Sequence, residues 1–268
     1  MPATLQLTAL NIYPLKSARG IALREMRLDD RGPAGDRRWM LVNPAGTMLS
    51  QRDLPRMALI GVEGGAPELL CTAPERPPLR VAIPSPGSSR RISACLWDHT
   101  VEVQLAGDDA HAWFSEYLGA ECRLVYQPDD SFRQVNQFYA AKGVGVSLAD
   151  GFPLLLIGQS SLDVLNGRLE KPVEMRRFRP NVVVSGTDPF AEDTWRRIRI
   201  GEVEFSVVKP CARCAIPTVD PDTGEVGKEP MRTLANFRRR NGEVFFGENL
   251  VHHSHGTLRL GDAVTVLQ

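Results

Sequence analysis

Apolar and polar positions alternate in short runs through the first hundred residues, a pattern that predicts β-strands. Over residues 4–12 the alternation puts Leu5, Leu7, Ala9 and Asn11 on one face. Residues 38–42, the turn Asn43-Pro44-Ala45-Gly46 and residues 47–50 predict a hairpin. Further strands are expected at residues 57–62, 79–83, 91–97 and 101–105. Pro and Gly punctuate these runs at roughly the spacing of an all-β barrel or sandwich, not of a βαβ array.

Residues 108–118 break the rhythm. Ala110, Trp113, Phe114 and Tyr117 fall at helical spacing, with Asp108 or Asp109 as the expected cap. A domain boundary is placed here, giving domains 1–107 and 108–268. Residues 128–145 are polar and irregular and predict a long loop, a candidate cover for a site entrance. Beyond it the pattern is mixed. Strands are expected at residues 153–157, 181–184, 198–200 and 203–208, the last two flanking a Gly201-Glu202 turn. A short helix capped by Ser160 or Ser161 should run to Leu169, and another from Met231 to about Arg240. The tail repeats strand, Gly-Asp turn, strand. The fold class is therefore mainly β with some α (α+β).

Composition narrows the function classes. A chain of 268 residues is comfortable as two domains, and 43% hydrophobic with 24% charged residues is ordinary for a globular protein. Lys+Arg and Asp+Glu both count 32, so formal net charge is zero and a general nucleic-acid surface is not expected. No apolar run reaches membrane-spanning length, and the N-terminal segment lacks a basic stretch followed by an apolar one, so neither signal peptide nor anchor is expected. The cysteines, Cys71, Cys95, Cys122, Cys211 and Cys214, are odd in number and sparse, unlike a secreted disulfide framework. The cytoplasm is the expected compartment.

Cys211-Ala212-Arg213-Cys214 is the sharpest local feature. Two thiols at this spacing suit a zinc half-site, a redox dithiol, inert buried cysteines, or one thiolate ligand beside a structural neighbour. A zinc site would need partners such as His252, His253 and His255. A thioredoxin-type dithiol should open a helix, whereas this motif follows a strand and leads into residues 215–219, which read as extended. Arg213 beside the thiols favours a thiolate. On a regular strand, however, it would face away from Cys214, so direct help requires a loop or bulge. Arg179 precedes Pro180, which should hold it extended, and a guanidinium so fixed can grip an oxyanion. Lys16 and Ser17, in Tyr13-Pro14-Leu15-Lys16-Ser17, suit a phosphate or polar heterocycle. Gly35-Asp36-Arg37-Arg38 sets a further arginine at a strand start.

In order along the chain, YPLKS, GDRRWMLVNPAGTMLSQRDLPRMALI, FRPNVVV, KPCARCAIPTVDPDTG and FFGENLV resemble the MOSC family with its N-terminal β-barrel domain. The likeness is to bacterial N-hydroxylamine-detoxifying MOSC proteins and mitochondrial amidoxime-reducing components, and it covers nearly the whole chain. It implies an N-terminal β-barrel-like domain and a mixed β-barrel MOSC domain, with a molybdenum cofactor (molybdopterin) between them. It implies that Cys214 ligates the metal. By the same resemblance Lys16, Ser17, Arg37, Arg179, Asn181, Ala212, Arg213 and Asn249 contact the cofactor, with Asp150 and Gly151 as weaker matches. The implied activity is a molybdenum-dependent oxidoreductase acting on N-hydroxylated small molecules: hydroxylamines, amidoximes and N-hydroxylated bases. Asp220, six residues past Cys214, is a candidate for proton delivery, against a turn-forming role in Asp-Pro-Asp-Thr-Gly. The chain stops after the last MOSC strand without the ferredoxin domain of some relatives. Electrons are therefore expected from a separate donor protein, a flavoprotein reductase, ferredoxin or b-type cytochrome. A cofactor carrier or sulfur-transfer module is the alternative, because MOSC domains also end molybdenum cofactor sulfurases.

Overall fold

The structure is a computed structural model describing residues 4–64, 67–85, 87 and 90–268. In chain order the first half holds β1 (Gln6–Ile12), β2 (Ile21–Leu23), β3 (Glu25–Asp29), β4 (Gly32–Pro33), β5 (Trp39–Val42), β6 (Gly61–Gly64), β7 (Glu68–Ala73), β8 (Arg76–Ala82), β9 (Arg91–Leu96) and β10 (His99–Leu105). Helix α1 (Asp108–Leu118) and β11 (Arg123–Tyr126) follow. The second half holds β12 (Leu154–Gly158), α2 (Gln159–Asn166), β13 (Val182–Ser185), β14 (Arg197–Ile200), β15 (Val203–Ala212), α3 (Met231–Arg238), β16 (Arg239–Arg240), β17 (Glu243–His252), β18 (Gly256–Arg259) and β19 (Val264–Val266). The protein is mainly β, as its alternating pattern predicts.

The largest sheet runs β19-β14-β15-β17-β12-β13-β1-β2, with β16 on the flank of β17. Its ends meet. Leu7 N donates to Asp262 O at 2.9 Å, Val264 N donates to Leu5 O at 3.0 Å, and Gln6 bridges Ala263. The sheet therefore closes as a barrel filled by Leu10, Leu156, Val184, Ile198, Phe205 and Leu250. Its neighbours are antiparallel except β12 and β13, which run parallel across the α2 connection. The barrel of the second half is thus completed by β1, the first strand of the chain.

The first half is built on the sheet β5-β11-β10-β9, beside β6-β7-β8. Both faces of β5 and β11 are buried. Trp39, Leu41, Leu124 and Tyr126 enter one core with Met57, Leu69 and Phe114. Met40, Val42 and Val125 enter another with Leu96, Val103 and Leu148. That two-sided burial is why these strands read as continuous apolar runs.

Several expectations are corrected. A bulge between Leu7 and Ala9 inverts the alternation of β1, so Leu10 and Ile12 take the buried face instead of Ala9 and Asn11. Residues 55–59 form a short 3-10 turn before β6. Residues 47–50 return beside β5 through a bridge of Met48 to Val42 rather than as a strand. The tail strands do not pair with each other: β18 joins β3 and β19 joins β14. Gly107, not an aspartate, occupies the cap of α1, and Gly158 that of α2. The apolar face of α1, with Trp113, Phe114 and Tyr117, packs into the first-half core, and Trp113 Nε1 donates to Pro77 O at 2.8 Å. A boundary at 107/108 would separate that helix from the core it covers. Among the described residues no helix is long and apolar enough to cross a membrane.

Candidate functional site

The segment after β1 passes from one half to the other. Leu15 is buried in the first-half core and pairs with Trp39, and Lys16 N donates to Trp39 O at 2.8 Å. This fixes Lys16 and Ser17 at the seam. Lys16 is buried, and its Nζ donates to Leu148 O at 3.0 Å and Asp150 Oδ1 at 2.5 Å. Burial pulls the ammonium below the usual lysine value, against the opposing charge of Asp150. The side chain of Asp150 is exposed, and the charge and hydrogen bond of Lys16, with a bond from Trp97, hold its carboxyl below the carboxylate range.

Opposite stands an arginine pair on Tyr13. The guanidinium carbons of Arg37 and Arg179 lie 4.3 and 4.2 Å from the centroid of its ring. The Tyr13 hydroxyl donates to Pro180 O at 3.1 Å, and burial pushes it up to about 12, so it stays a neutral phenol. Arg37 Nη1 donates to Asp36 Oδ2 at 2.6 Å and Asn181 Oδ1 at 3.1 Å. Asp36 is buried and also accepts Tyr13 N at 2.7 Å. Asn181 is spent inside this lattice, donating to Asn11 O and Asp36 Oδ1 and accepting from Leu155 N. Arg179 donates through Nη1 to Ala18 O at 2.5 Å, while its buried Nη2 has no hydrogen-bond partner. Burial pulls Arg179 down to about 10, which leaves it charged at neutral pH.

The cysteine motif lies where β15 leaves the sheet. Register shifts between Val207 and Lys209 and between Pro210 and Ala212 turn the strand end, and Arg213 N donates to Val244 O at 2.7 Å. Gly247 in β17 is required here: at φ 83° a Cβ would stand 2.7 Å from Leu156 O and 2.6 Å from Ile157 Cγ1. The bulges release Arg213 from strand alternation, but toward the first cysteine. Its Nη1 donates to Cys211 Sγ at 3.1 Å and its Nη2 to Phe178 O at 2.7 Å, while its buried Nε has no partner. Burial pushes the Cys211 thiol up, with Arg213 opposing. Cys214 is a half-buried free thiol. Asn249 on β17 reaches across to Lys209 O at 3.0 Å.

These groups line one cavity between the two halves. Lys16, Ser17, Arg37, Asp150, Gly151, Arg179, Asn181, Ala212, Arg213, Cys214 and Asn249 all border it. So do Arg52 and the apolar Phe152, Leu154, Leu155, Phe178 and Ile216. Lys16, Arg37, Arg52, Arg179 and Arg213 face Asp150 as the lining carboxylate. A chain of zero net charge thus sets five of its 32 Lys and Arg around one hollow, a setting for an anion beside a soft thiol.

Residues 4–121 match the MOSC N-terminal beta barrel domain and residues 144–265 the MOSC domain. A rat protein, mitochondrial amidoxime reducing component 2, is 35% identical over 272 residues, spanning 94% of this chain and 80% of its own length. The chain belongs to the MOSC family. Similarity extends to mouse mitochondrial amidoxime-reducing component 1, 34% identical over 96% of this chain and 80% of that protein. A rice molybdenum cofactor sulfurase is 31% identical over 91% of this chain but only 32% of its own length.

In this MOSC chain Asp220 does not border the cavity. Its Oδ1 accepts the amides of Asp222 and Thr223 at 2.9 and 3.1 Å, and its Oδ2 accepts Arg177 Nη2 at 2.6 Å. The Asp222 amide above all holds its carboxyl below the usual range, and these bonds are those of a turn-forming aspartate. Arg179 is left-handed, φ 58°, because it ends the turn Met175–Phe178, and the extended form expected before Pro180 is not adopted. Residues 215–218 are not extended either; Ala215 is helical and Ile216–Thr218 is a 3-10 turn, and the chain becomes extended at Val219. The histidines are engaged elsewhere, His252 with Asp29 O, His253 with Ser206 Oγ and His255 with Asp30 Oδ1. Among the described residues no group of three or more His, Cys, Asp or Glu is placed to hold a metal, which leaves the zinc reading without a ligand set.

Tyr13, Asp36, Arg52 and Arg133 escaped the sequence reading. Arg133 lies within the long loop, buried, and donates to Ser147 O at 2.9 Å, Ala149 O at 2.5 Å and Asp150 O at 2.8 Å. An arginine in an irregular polar stretch carries no pattern that would mark it. Asp36 could have been suspected, since Gly35 at φ 82° turns the chain so that two adjacent opposite charges point inward.

Proposed function

We propose that this chain is a molybdenum-cofactor-dependent reductase of N-hydroxylated compounds. The observation that carries the reading is the half-buried Cys214 thiol in a cavity ringed by Lys16, Arg37, Arg52, Arg179 and Arg213. The residues fit the group. A thiolate suits the metal, and the unpartnered buried Arg179 Nη2 and Arg213 Nε are donors that a pterin phosphate would satisfy. Cys214 would hold the metal, Lys16, Arg37, Arg179 and Arg213 the anionic end, and Ser17, Gly151, Ala212 and Asn249 the heterocycle. Asn181 and Asp36 position Arg37 rather than offering free donors. When bound, the cofactor supplies two-electron removal of a hydroxyl oxygen, in which an N–OH group, two electrons and two protons give N–H and water. Phe152, Leu155 and Ile216 give the same cavity an apolar stretch of wall. Electrons come from a separate donor protein.

A second reading, a cofactor carrier, is favoured by the likeness to the rice sulfurase. Turnover separates the two. Protein loaded with molybdenum should reduce a hydroxylamine with a dye as electron donor; cofactor-loaded protein without turnover would leave the carrier reading.

A further inference from the structure

The β9–β10 hairpin carries an anomaly at its tip. Leu96 pairs with His99, so the turn is the dipeptide Trp97-Asp98. Trp97 sits at φ 56°, in the left-handed region where a two-residue turn calls for Gly or Asn. Nothing in hairpin formation asks for a bulky ring there, and such strain gathers at functional positions. Trp39, Trp113 and Trp195 are buried, whereas Trp97 is 43% exposed.

The ring is nonetheless fixed. Its Nε1 donates to Asp150 Oδ1 at 3.3 Å, the carboxylate that Lys16 holds in the cavity wall. Arg52, also in that wall, places its guanidinium carbon 4.4 Å from the indole centroid. An open aromatic surface is thereby pinned by edge and face to two residues of the cavity wall, Asp150 and Arg52, which suits stacking of a flat ligand beside that wall.

We propose that Trp97 is the specificity-determining platform of the site. It stacks planar, π-conjugated N-hydroxy compounds, such as aryl amidoximes and N-hydroxylated heteroaromatic bases, in preference to aliphatic hydroxylamines. The assignment of substrate class rests on the reductase reading; the stacking surface does not.

The test compares wild type, Trp97→Gly and Trp97→Phe as cofactor-loaded protein, with benzamidoxime as the planar probe and N-methylhydroxylamine as the aliphatic one. Glycine is at ease at this φ, so Trp97→Gly should fold with an unchanged or higher Tm. Its preference in kcat/KM for the planar probe should fall by about tenfold, chiefly through KM, and Trp97→Phe should restore most of it. The exposed indole also reports binding directly, as the wild-type emission minus that of Trp97→Phe. Benzamidoxime should quench this signal saturably and N-methylhydroxylamine should not. An unaltered preference in Trp97→Gly, or no saturable quenching, overturns the proposal. Saturable quenching in a wild type without turnover sustains the platform and removes the reductase reading instead.

Discussion

Glu248 stands between Gly247, which lets β17 approach β12, and Asn249, which borders the cavity. It is buried, and its Oε1 has no hydrogen-bond partner. Burial, reinforced by Asp193 and Glu192, pushes its carboxyl up to about 8 from 4.5. Between these values the folded chain keeps a proton that the unfolded chain has lost. Its contribution to stability is therefore full below pH 4.5 and falls as pH rises toward 8. Urea midpoints of wild type and Glu248→Gln from pH 5 to 8 should show the wild type losing ground steadily; a constant difference would contradict the assignment. Residues of this kind are hard to read in sequence. The place of Cys214, Arg179 and Lys16 on one cavity is legible because their motifs stand in family order. The left-handed backbone of Arg179 is not, since the local turn overrides the proline's preference. Closeness in sequence to Cys214 does not bring Asp220 to the cavity.

The long loop of residues 128–145 shows how an irregular element can hold a site. It contains a single bridge, Gln134 to Gly145, yet Val135 is buried with Val146, Ala149 and Val251, and Arg133 grips three carbonyls of the segment that carries Asp150. Arg133→Met should lower unfolding free energy by about 2–4 kcal/mol, because those carbonyls lose a charged donor. Arg133→Lys, which keeps the charge but not the fork, should recover part of it. Urea denaturation measures both, and a loss under about 0.5 kcal/mol for Arg133→Met would show that other contacts hold the segment. Strand periodicity located most elements but not their partners. The bulge at Leu7/Ala9 changes which face of β1 is buried, and the tail strands separate to two different sheets, since pairing is decided by barrel closure rather than by the intervening turn.

At the scale of the molecule, the two halves share a strand and a seam. Strand β1 closes the barrel of the second half, the next residues enter the core of the first, and Lys16, Ser17 and Arg37 are thereby carried to the cysteine loop. That crossing is invisible to a boundary drawn where the strand rhythm breaks, because it needs the spatial closure of β1 on residues 261–264. It also explains how zero net charge coexists with a cationic hollow: the first half contributes Lys16, Arg37 and Arg52 to it and the second Arg179 and Arg213. Elemental analysis of protein purified from molybdenum-replete cells, wild type beside Cys214→Ser, is the most direct measurement. Molybdenum near one atom per chain in the wild type and a small fraction of that in the variant is the expected result. Equal molybdenum in both proteins, or none in a wild type made where another molybdoenzyme loads fully, would contradict it.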